Sequence, residues 1–440
     1  MMGTDALERQ AASTRALIAY TACGTFLYAV CAGFRDSYGV LLPYIVAHTG
    51  IPYAIISFIL ALGQLCFGLM QPVFGLLALR TSNRFVLCTG AVMMFTGLLT
   101  IPFCTSAPAL AFALGILLPS GTAAASFGII MSCISPRLSE CQGHTAGGFV
   151  AAGIGISICV LAPMLQSMVA GSGLFGAIAF LGCPILLLVP VSVWVSRGAQ
   201  GKAGERDICQ PCEHVADIFR EALANPSYLC VGLAFFTCGF HMAMIQTHLF
   251  SQLTTFGVTE QAASYALSVY GLGVIAGAVG SGMACNKLSM SVVLAGLYGS
   301  RCLWVALLLL PLPMPGLFGV VFLLGLTGVA TVPPTSGLIK NFFGSARLGT
   351  LFGLVYFAHQ IGAFVSAWAG GLCLKFTGGY SGVWLADILL CMLAAIVCRC
   401  GKHRAPHSGG RGGGGSGNGA EGGGSEPKRH EYARSSFLPS

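Results

Sequence analysis

The residues best able to do chemistry lie inside apolar sequence. Arg35 and Asp36, in Gly33-Phe34-Arg35-Asp36-Ser37-Tyr38-Gly39, interrupt an apolar run from 16 to 46. An arginine at membrane depth costs at least ~2.5–3.5 kcal/mol, so it normally faces a protein interior or a watery cavity. Its guanidinium is a rigid two-pronged fork that matches a carboxylate. Asp36 follows about 100° further around a helix, and a buried carboxylate is suited to carry a coupling proton. His241, in Cys238-Gly239-Phe240-His241-Met242-Ala243-Met244, can donate to an anion or titrate near neutral pH. Tyr356, His359 and Gln360 form a third polar group, with Tyr356 and His359 on one helix face. Each also has a plainer reading: a structural ion pair for Arg35, a fixed charge partner for Asp36, a hydrogen-bonded packing group for the others.

The elements that must position these residues follow from composition. The chain has 440 residues, 55% hydrophobic and 8% charged, with a mean hydropathy of +0.81. A soluble domain carries roughly 25% charged residues. The composition excludes an ordinary water-soluble protein, and the lipid bilayer becomes the first expected partner. Continuous apolar runs, without strand alternation, exclude a β-barrel. Twelve runs are long enough to cross a bilayer as helices: 16–46, 52–79, 85–103, 108–135, 145–170, 173–196, 227–251, 261–285, 289–311, 315–339, 348–374 and 381–399. The fold class is all-α membrane protein with twelve transmembrane helices.

Charge placement gives orientation. Of the 22 Lys and Arg, all but Arg35, Arg301 and Lys375 fall in the N-terminus, the even-numbered loops or the tail. Lys/Arg-rich loops stay cytoplasmic, so both termini are expected inside. The division expected is a cytoplasmic N-terminus (1–15), a six-helix half (16–196), a cytoplasmic central loop (197–226), a second six-helix half (227–400) and a disordered Gly/Ser-rich tail (401–440). Residues 216–223 in the central loop are amphipathic and are expected to lie along the membrane surface as a helix. The halves match at an offset of 207 residues: Gly75 onto Gly282, Gly121 onto Gly328 and Gly155 onto Gly362. No cleavable leader is expected, because the first apolar run is too long for one.

Other chemistries find little footing. No phosphate-binding Gly-x-x-x-x-Gly-Lys-Ser/Thr loop is present, so ATP-driven pumping has no visible engine. Cys209 and Cys212 have metal-like spacing but lack a second pair, and Cys398, Cys400, His403 and His407 are an equally weak cluster. No metal, cofactor, nucleic-acid partner or catalytic constellation is expected, and the chain does not read as an enzyme. The 19 cysteines are scattered and read as small core residues.

Several stretches resemble a known family. Residues 75–84 resemble the loop signature of the major facilitator superfamily between helices 2 and 3: Gly75, Arg80 and Arg84 match, while Leu79, Ser82 and Asn83 depart from it. Residues 33–39, 238–244 with Thr247-His248-Leu249, Ala330-Thr331-Val332-Pro333-Pro334-Thr335-Ser336 and 348–362 are similar to bacterial relatives of the monocarboxylate and oxalate/formate transporters. The resemblance covers about 16–400. It implies a monomeric carrier of two six-helix halves in the cell inner membrane, with helices 1, 4, 7 and 10 lining a central cavity. Arg35 then lies on the pathway. His241, one position from the 207-offset image of Arg35, is expected to face the same cavity. In oxalate-type relatives helix 11 contributes a positive residue, and the resemblance implies that His359, when protonated, would stand in for it. Many family members carry an arginine in helix 8; this run has none, which shifts attention to Arg35.

The expectation is a secondary active transporter of a small organic anion, a monocarboxylate, working by alternating access. Arg35, His241, Tyr356, His359 and Gln360 would bind the anion, and Asp36 would carry a coupling proton. The alternative is a multidrug-type efflux carrier for lipophilic or cationic compounds. Pro119, Gly121, Pro333, Pro334 and Gly337 are expected to interrupt helices 4 and 10 where they line the cavity.

Overall fold

The computed structural model of the protein describes residues 2–134, 138, 140–197, 215–344 and 347–400, and no strand occurs among them. In lipid a backbone group finds its partner only within its own helix, and apolar side chains can then face the tails. Eleven helices are long and apolar enough to cross a membrane. One of them, Ala146–Ser196, holds 51 residues. At 1.5 Å per residue it would extend about 77 Å, against roughly 30 Å of hydrocarbon. The chain turns within it at Gly173, whose φ of 65° glycine adopts without strain. It therefore crosses twice, and the crossings among the described residues number twelve.

The crossings are numbered here as spans. Span 1 comprises Met2–Asp36 and Tyr38–Thr49, joined by a turn at Ser37. Span 2 is Tyr53–Arg80 and span 3 Asn83–Thr100. Span 4 runs through Ala107–Leu110, a π-helical stretch Ala111–Leu117, Leu118–Ala124 and Phe127–Ile134. Spans 5 and 6 are the parts of Glu140–Ser196 before and after Gly173. Span 7 is Pro226–Met244, continued by Ile245–Leu249 and Phe250–Thr255. Span 8 is Glu260–Cys285 and span 9 Met290–Leu308. Span 10 joins Met314–Thr327, Val329–Thr331 and Val332–Phe343. Span 11 is Leu348–Thr377 and span 12 Ser381–Cys400.

Helix starts repeat at the 207-residue offset that the glycines suggest. Tyr53 and Glu260 open spans 2 and 8, Asn83 and Met290 open spans 3 and 9, and Ala107 and Met314 open spans 4 and 10. Left-handed glycines at the same offset follow spans 1 and 7, Gly50 with φ 68° and Gly257 with φ 82°. Serines precede spans 3 and 9 at that offset, and Ser82 accepts from the Phe85 amide at 3.1 Å. Ser289 makes no side-chain capping bond, so helix starts and turn glycines are duplicated while the capping bond is not.

Packing repeats as well. Span 1 packs on span 5 and span 7 on span 11 within the halves; across them, span 2 packs on span 11 and span 8 on span 5. Small residues permit these approaches. A Cβ on Gly271 would sit 2.7 Å from the Gly155 carbonyl oxygen, and one on Gly155 would sit 2.9 Å from that of Gly271. Of the glycines at 147–155, Gly153 and Gly155 make such contacts and Gly148 makes none.

Spans 4 and 10 are interrupted as expected, though not at the prolines themselves. Span 4 breaks at Ala125–Ser126, after the π-helical stretch. Span 10 breaks at Gly328, ahead of Pro333 and Pro334, which occupy the first turn of the following helix. A proline is tolerated there because that turn's amides have no intrahelical acceptor anyway. The amphipathic stretch of the central loop is a helix, Val215–Leu223; Ala222 is buried and Ile218 and Phe219 are half-buried against the second half. Glu221 pairs with Arg347 at 2.6 Å. The cysteines among the described residues are free thiols. The Cys209–Cys212 motif and the tail after 400 lie outside the described residues.

Candidate functional site

A cavity of about 1200 Å³ lies between the halves. Its walls come mainly from spans 1, 2, 4, 5, 7, 10 and 11, with the start of span 3, Ser196 at the end of span 6 and Phe219 of the Val215–Leu223 helix. It runs from Arg35 and Asp36 to the exposed Thr81 and Arg84. Both helix interruptions face it, through Ala125 and Ser126 in span 4 and Gly328 and Val329 in span 10. Irregular backbone at membrane depth is tolerated where it lines such a space.

Beyond Arg35 and Asp36 the halves close on each other. Tyr44 of span 1 donates to Glu260 of span 8, and the Gln166 amide of span 5 reaches both, at 2.8 and 3.0 Å. Tyr53 of span 2 bonds His248 Nδ1 of span 7 at 2.9 Å, and the Tyr380 hydroxyl bonds that of Tyr53 at 2.9 Å. The other His248 ring nitrogen meets the Ala367 carbonyl of span 11 at 2.8 Å. A carbonyl can only accept, so Nε2 carries the proton there. Nδ1 then accepts from Tyr53, whose oxygen accepts from Tyr380. His248, a helix-end residue by its sequence position, is therefore part of the seal between the halves.

Arg35 lies in the cavity wall, 9% exposed. Its Nε is 3.5 Å from Asp36 Oδ1, and its guanidinium carbon is 4.2 Å from the centre of the Phe67 ring. Tyr356 of span 11 packs on the same Phe67 ring, 6.4 Å between ring centres. Arg35 Nη1 and Asp36 Oδ2 are both buried and make no hydrogen bond. A buried polar group without a partner costs about 1–3 kcal/mol, more if charged. An anion that brings acceptors to Nη1 would recover that cost.

Tyr356 and His359 also line the cavity. Their rings stack at 5.3 Å with an interplanar angle of 8°, and Phe235 of span 7 lies 5.0 Å from the His359 ring. His359 Nδ1 has no partner. The other face of span 11 is held against span 7, where Gly239 lets the His359 carbonyl approach the helix backbone.

Two of the residues expected at the site lie elsewhere. His241 is fully buried and outside the cavity lining: its Nδ1 bonds Asp387 Oδ2 of span 12 at 2.6 Å. The 207-residue offset itself explains this. His241 is the image of Phe34, which is also absent from the lining, whereas the image of Arg35 is Met242, which is in it. One residue is about 100° of helix, enough to turn a side chain from the cavity into the bundle. Gln360 is also fully buried and outside the lining, packed against Gly68 of span 2; neither of its amide atoms has a partner. It belongs to the contact between the halves.

The second buried cluster surrounds His241. Arg301 of span 9, fully buried, donates through Nη2 to the carbonyls of Thr327 and Gly328, at the break in span 10. A guanidinium there satisfies the carbonyls that the interruption leaves without amide partners. Asp387 bonds His241 directly, with Arg301 nearby. His241, Asp387 and Cys391 bring three possible metal ligands within 4.8 Å of one another. Asp387 is already engaged by His241 and Cys391, and Arg301 supplies compensating positive charge nearby, so the cluster reads as a buried structural core.

The aromatic lining was not singled out in the sequence. Phe67, Phe235, Phe352 and Met242 face the cavity, yet their runs contain many similar residues that face outward.

Twelve crossings in two repeated halves around a polar-floored cavity define a membrane carrier. The Major Facilitator Superfamily model matches residues 23–297, more than half of the chain, and the chain belongs to that superfamily. Over 170 residues it is 31% identical to the "Uncharacterized MFS-type transporter YcxA" of Bacillus subtilis (strain 168), a match spanning 37% of this chain but only 41% of that protein. Over 367 residues it is 25% identical to Monocarboxylate transporter 13 of Rattus norvegicus, spanning 81% of this chain and 82% of that one. The solved structure of a D-xylose-proton symporter superposes with a TM-score of 0.71 at 14% identity, covering 89% of this chain and 100% of the other. At that identity the fold alone is shared. The protein is a multi-pass membrane transporter and not an enzyme.

Proposed function

We propose that the protein is a secondary active transporter that moves a small organic anion, a monocarboxylate, across the cytoplasmic membrane by alternating access. The observation that carries this reading is the unpartnered Arg35 Nη1 in the cavity wall. A carboxylate on that edge exchanges an orphaned buried charge for a charge-assisted hydrogen bond. The curated relatives named as monocarboxylate transporters support the same class.

The Lys/Arg-rich ends of the bundle are the cytoplasmic ones in this reading, so the cavity is open inward and the Tyr44 and Tyr53 seals are external. Closing the inner side over an empty site would desolvate Arg35 without a partner, which is costly. A bound anion lowers that cost and ties the rocking of the halves to occupancy. Asp36, whose Oδ2 is also unpartnered, is the group placed to take a coupling proton with the anion.

The test is uptake of radiolabelled pyruvate into proteoliposomes. Arg35→Ala, with normal membrane insertion, should lose it; unchanged uptake would sink the reading. Asp36→Asn should remove stimulation by a proton gradient while exchange of internal for external pyruvate persists. Efflux of lipophilic cations is the second reading, favoured by the aromatic walls. Against it stands Arg35, which would repel such a substrate at the cavity floor. Competition separates the two: short carboxylates should inhibit transport, and lipophilic cations should not.

A further inference from the structure

Resting on the monocarboxylate reading, we propose a narrower substrate class: aryl monocarboxylates, with the carboxylate on Arg35 and the ring against a wall built from Phe67 and Tyr356.

Charge sets the number of carboxylates. The charged side chains of the described lining are Arg35, Asp36 and Arg84, and Arg84 is exposed at the opposite end. The floor therefore offers one cation, already beside an anion. Apart from Arg35, a second carboxylate on the substrate would find only the His359 imidazole, flanked by Tyr356 and Phe235, and would otherwise face Asp36 or aromatic carbon. Each such unpaired charge in a low-dielectric site is expensive.

Ring geometry sets the rest of the molecule. Phe67 lies under the guanidinium, and its ring is 6.4 Å from that of Tyr356 in a T-shaped arrangement. Tyr356 continues to Phe352 at 6.3 Å and to Phe235 at 6.2 Å. Phe67, Phe352 and Tyr356 are half-buried and line the cavity, so they keep surface to offer. A continuous aromatic surface thus starts at the carboxylate position and leads away from it. An aliphatic acid would gain burial there, but only a ring can also gain the edge-to-face and offset contacts that aromatic pairs prefer. Cavity volume sets no obstacle, since about 1200 Å³ exceeds the roughly 300–1,000 Å³ of ordinary ligand pockets.

The experiment is isothermal titration of the purified full-length protein with phenylacetate, cyclohexylacetate, acetate and phenylmalonate. Phenylacetate and cyclohexylacetate share the carboxylate and the six-carbon ring, and differ in the π face. Phenylacetate should bind about tenfold tighter than cyclohexylacetate, the sum expected from one or two aromatic contacts. Phenylmalonate, with the same ring and a second carboxylate, should bind more weakly than phenylacetate. In Phe67→Leu and in Tyr356→Leu the ratio of phenylacetate to cyclohexylacetate affinity should fall toward one. A ratio within one variant is insensitive to general loss of folding or affinity. Equal affinities in the wild type, or a ratio unchanged in both variants, would overturn the proposal. If acetate and cyclohexylacetate bind in an Arg35-dependent way and phenylacetate no better, this proposal fails and the monocarboxylate reading stands. If Arg35→Ala alters no affinity, the monocarboxylate reading fails and takes this one with it.

Discussion

Each half holds a cluster of buried charged groups, and the two clusters are treated in opposite ways. In the first half Arg35 and Asp36 touch at only 3.5 Å and leave polar atoms open at the wall of the cavity. In the second half His241 and Asp387 close on each other at 2.6 Å behind span 7, and Arg301 is spent on the carbonyls of the span 10 break. His241 Nε2 and two Arg301 nitrogens also lack partners, but neither residue is in the cavity lining. Burial alone therefore does not separate a binding site from a structural ion pair. What separates them is whether the unsatisfied atoms meet a space that a solute can enter. A charge inside a membrane helix is a functional candidate by default, and here the two halves supply one case on each side of that default.

The sharpest way to break this comparison is to remove a partner from the second cluster. Asp387→Ala leaves His241 and Arg301 without their buried counter-charge, and should cost about 3–5 kcal/mol of stability. The effect should appear as a lowered melting temperature and poor detergent extraction. A variant as stable as wild type would show that the cluster is not the structural core described. Next in size is Gly239→Ala. Its methyl group would meet the His359 carbonyl, which is backbone and cannot rotate away. Spans 7 and 11 should separate slightly, at a cost of about 1–3 kcal/mol, read in thermal unfolding. The smallest effect is expected at the seal. Tyr53→Phe removes the hydroxyl that links His248 to Tyr380 and should weaken closure of that end by about 0.5–1.5 kcal/mol. Labelling of the cavity-lining Cys31 by impermeant maleimide from the outer face should then rise a few-fold. An unchanged labelling rate would remove the seal from the account.

Much of the fold can be read from the chain, because a bilayer leaves few choices. Runs of apolar residues must be helices, and the 207-residue offset carries helix starts and turn glycines from one half to the other. Arg35 stands out for the same reason, since an arginine in an apolar run is conspicuous. The aromatic wall does not. Phe67 in the lining and Phe112 or Phe149, 59% and 61% exposed on the outer surface, are alike in sequence, for lipid and a ligand ring both reward a phenylalanine. His241 marks another limit. A helical position is defined to within one residue only by the three-dimensional register, and one residue decides whether a side chain meets the cavity or Asp387. Gln360, next to His359, makes the same point on span 11.

The most direct test of the central claim is equilibrium binding of pyruvate to the purified protein and to two variants, one from each cluster. Removing a charged hydrogen-bonding partner should cost about 2–5 kcal/mol, so Arg35→Ala should bind at least thirtyfold more weakly than wild type. His241→Gln should keep wild-type affinity, even if its melting temperature falls. Loss of affinity in His241→Gln, or wild-type affinity in Arg35→Ala, would contradict the assignment of the binding site to the Arg35 cluster.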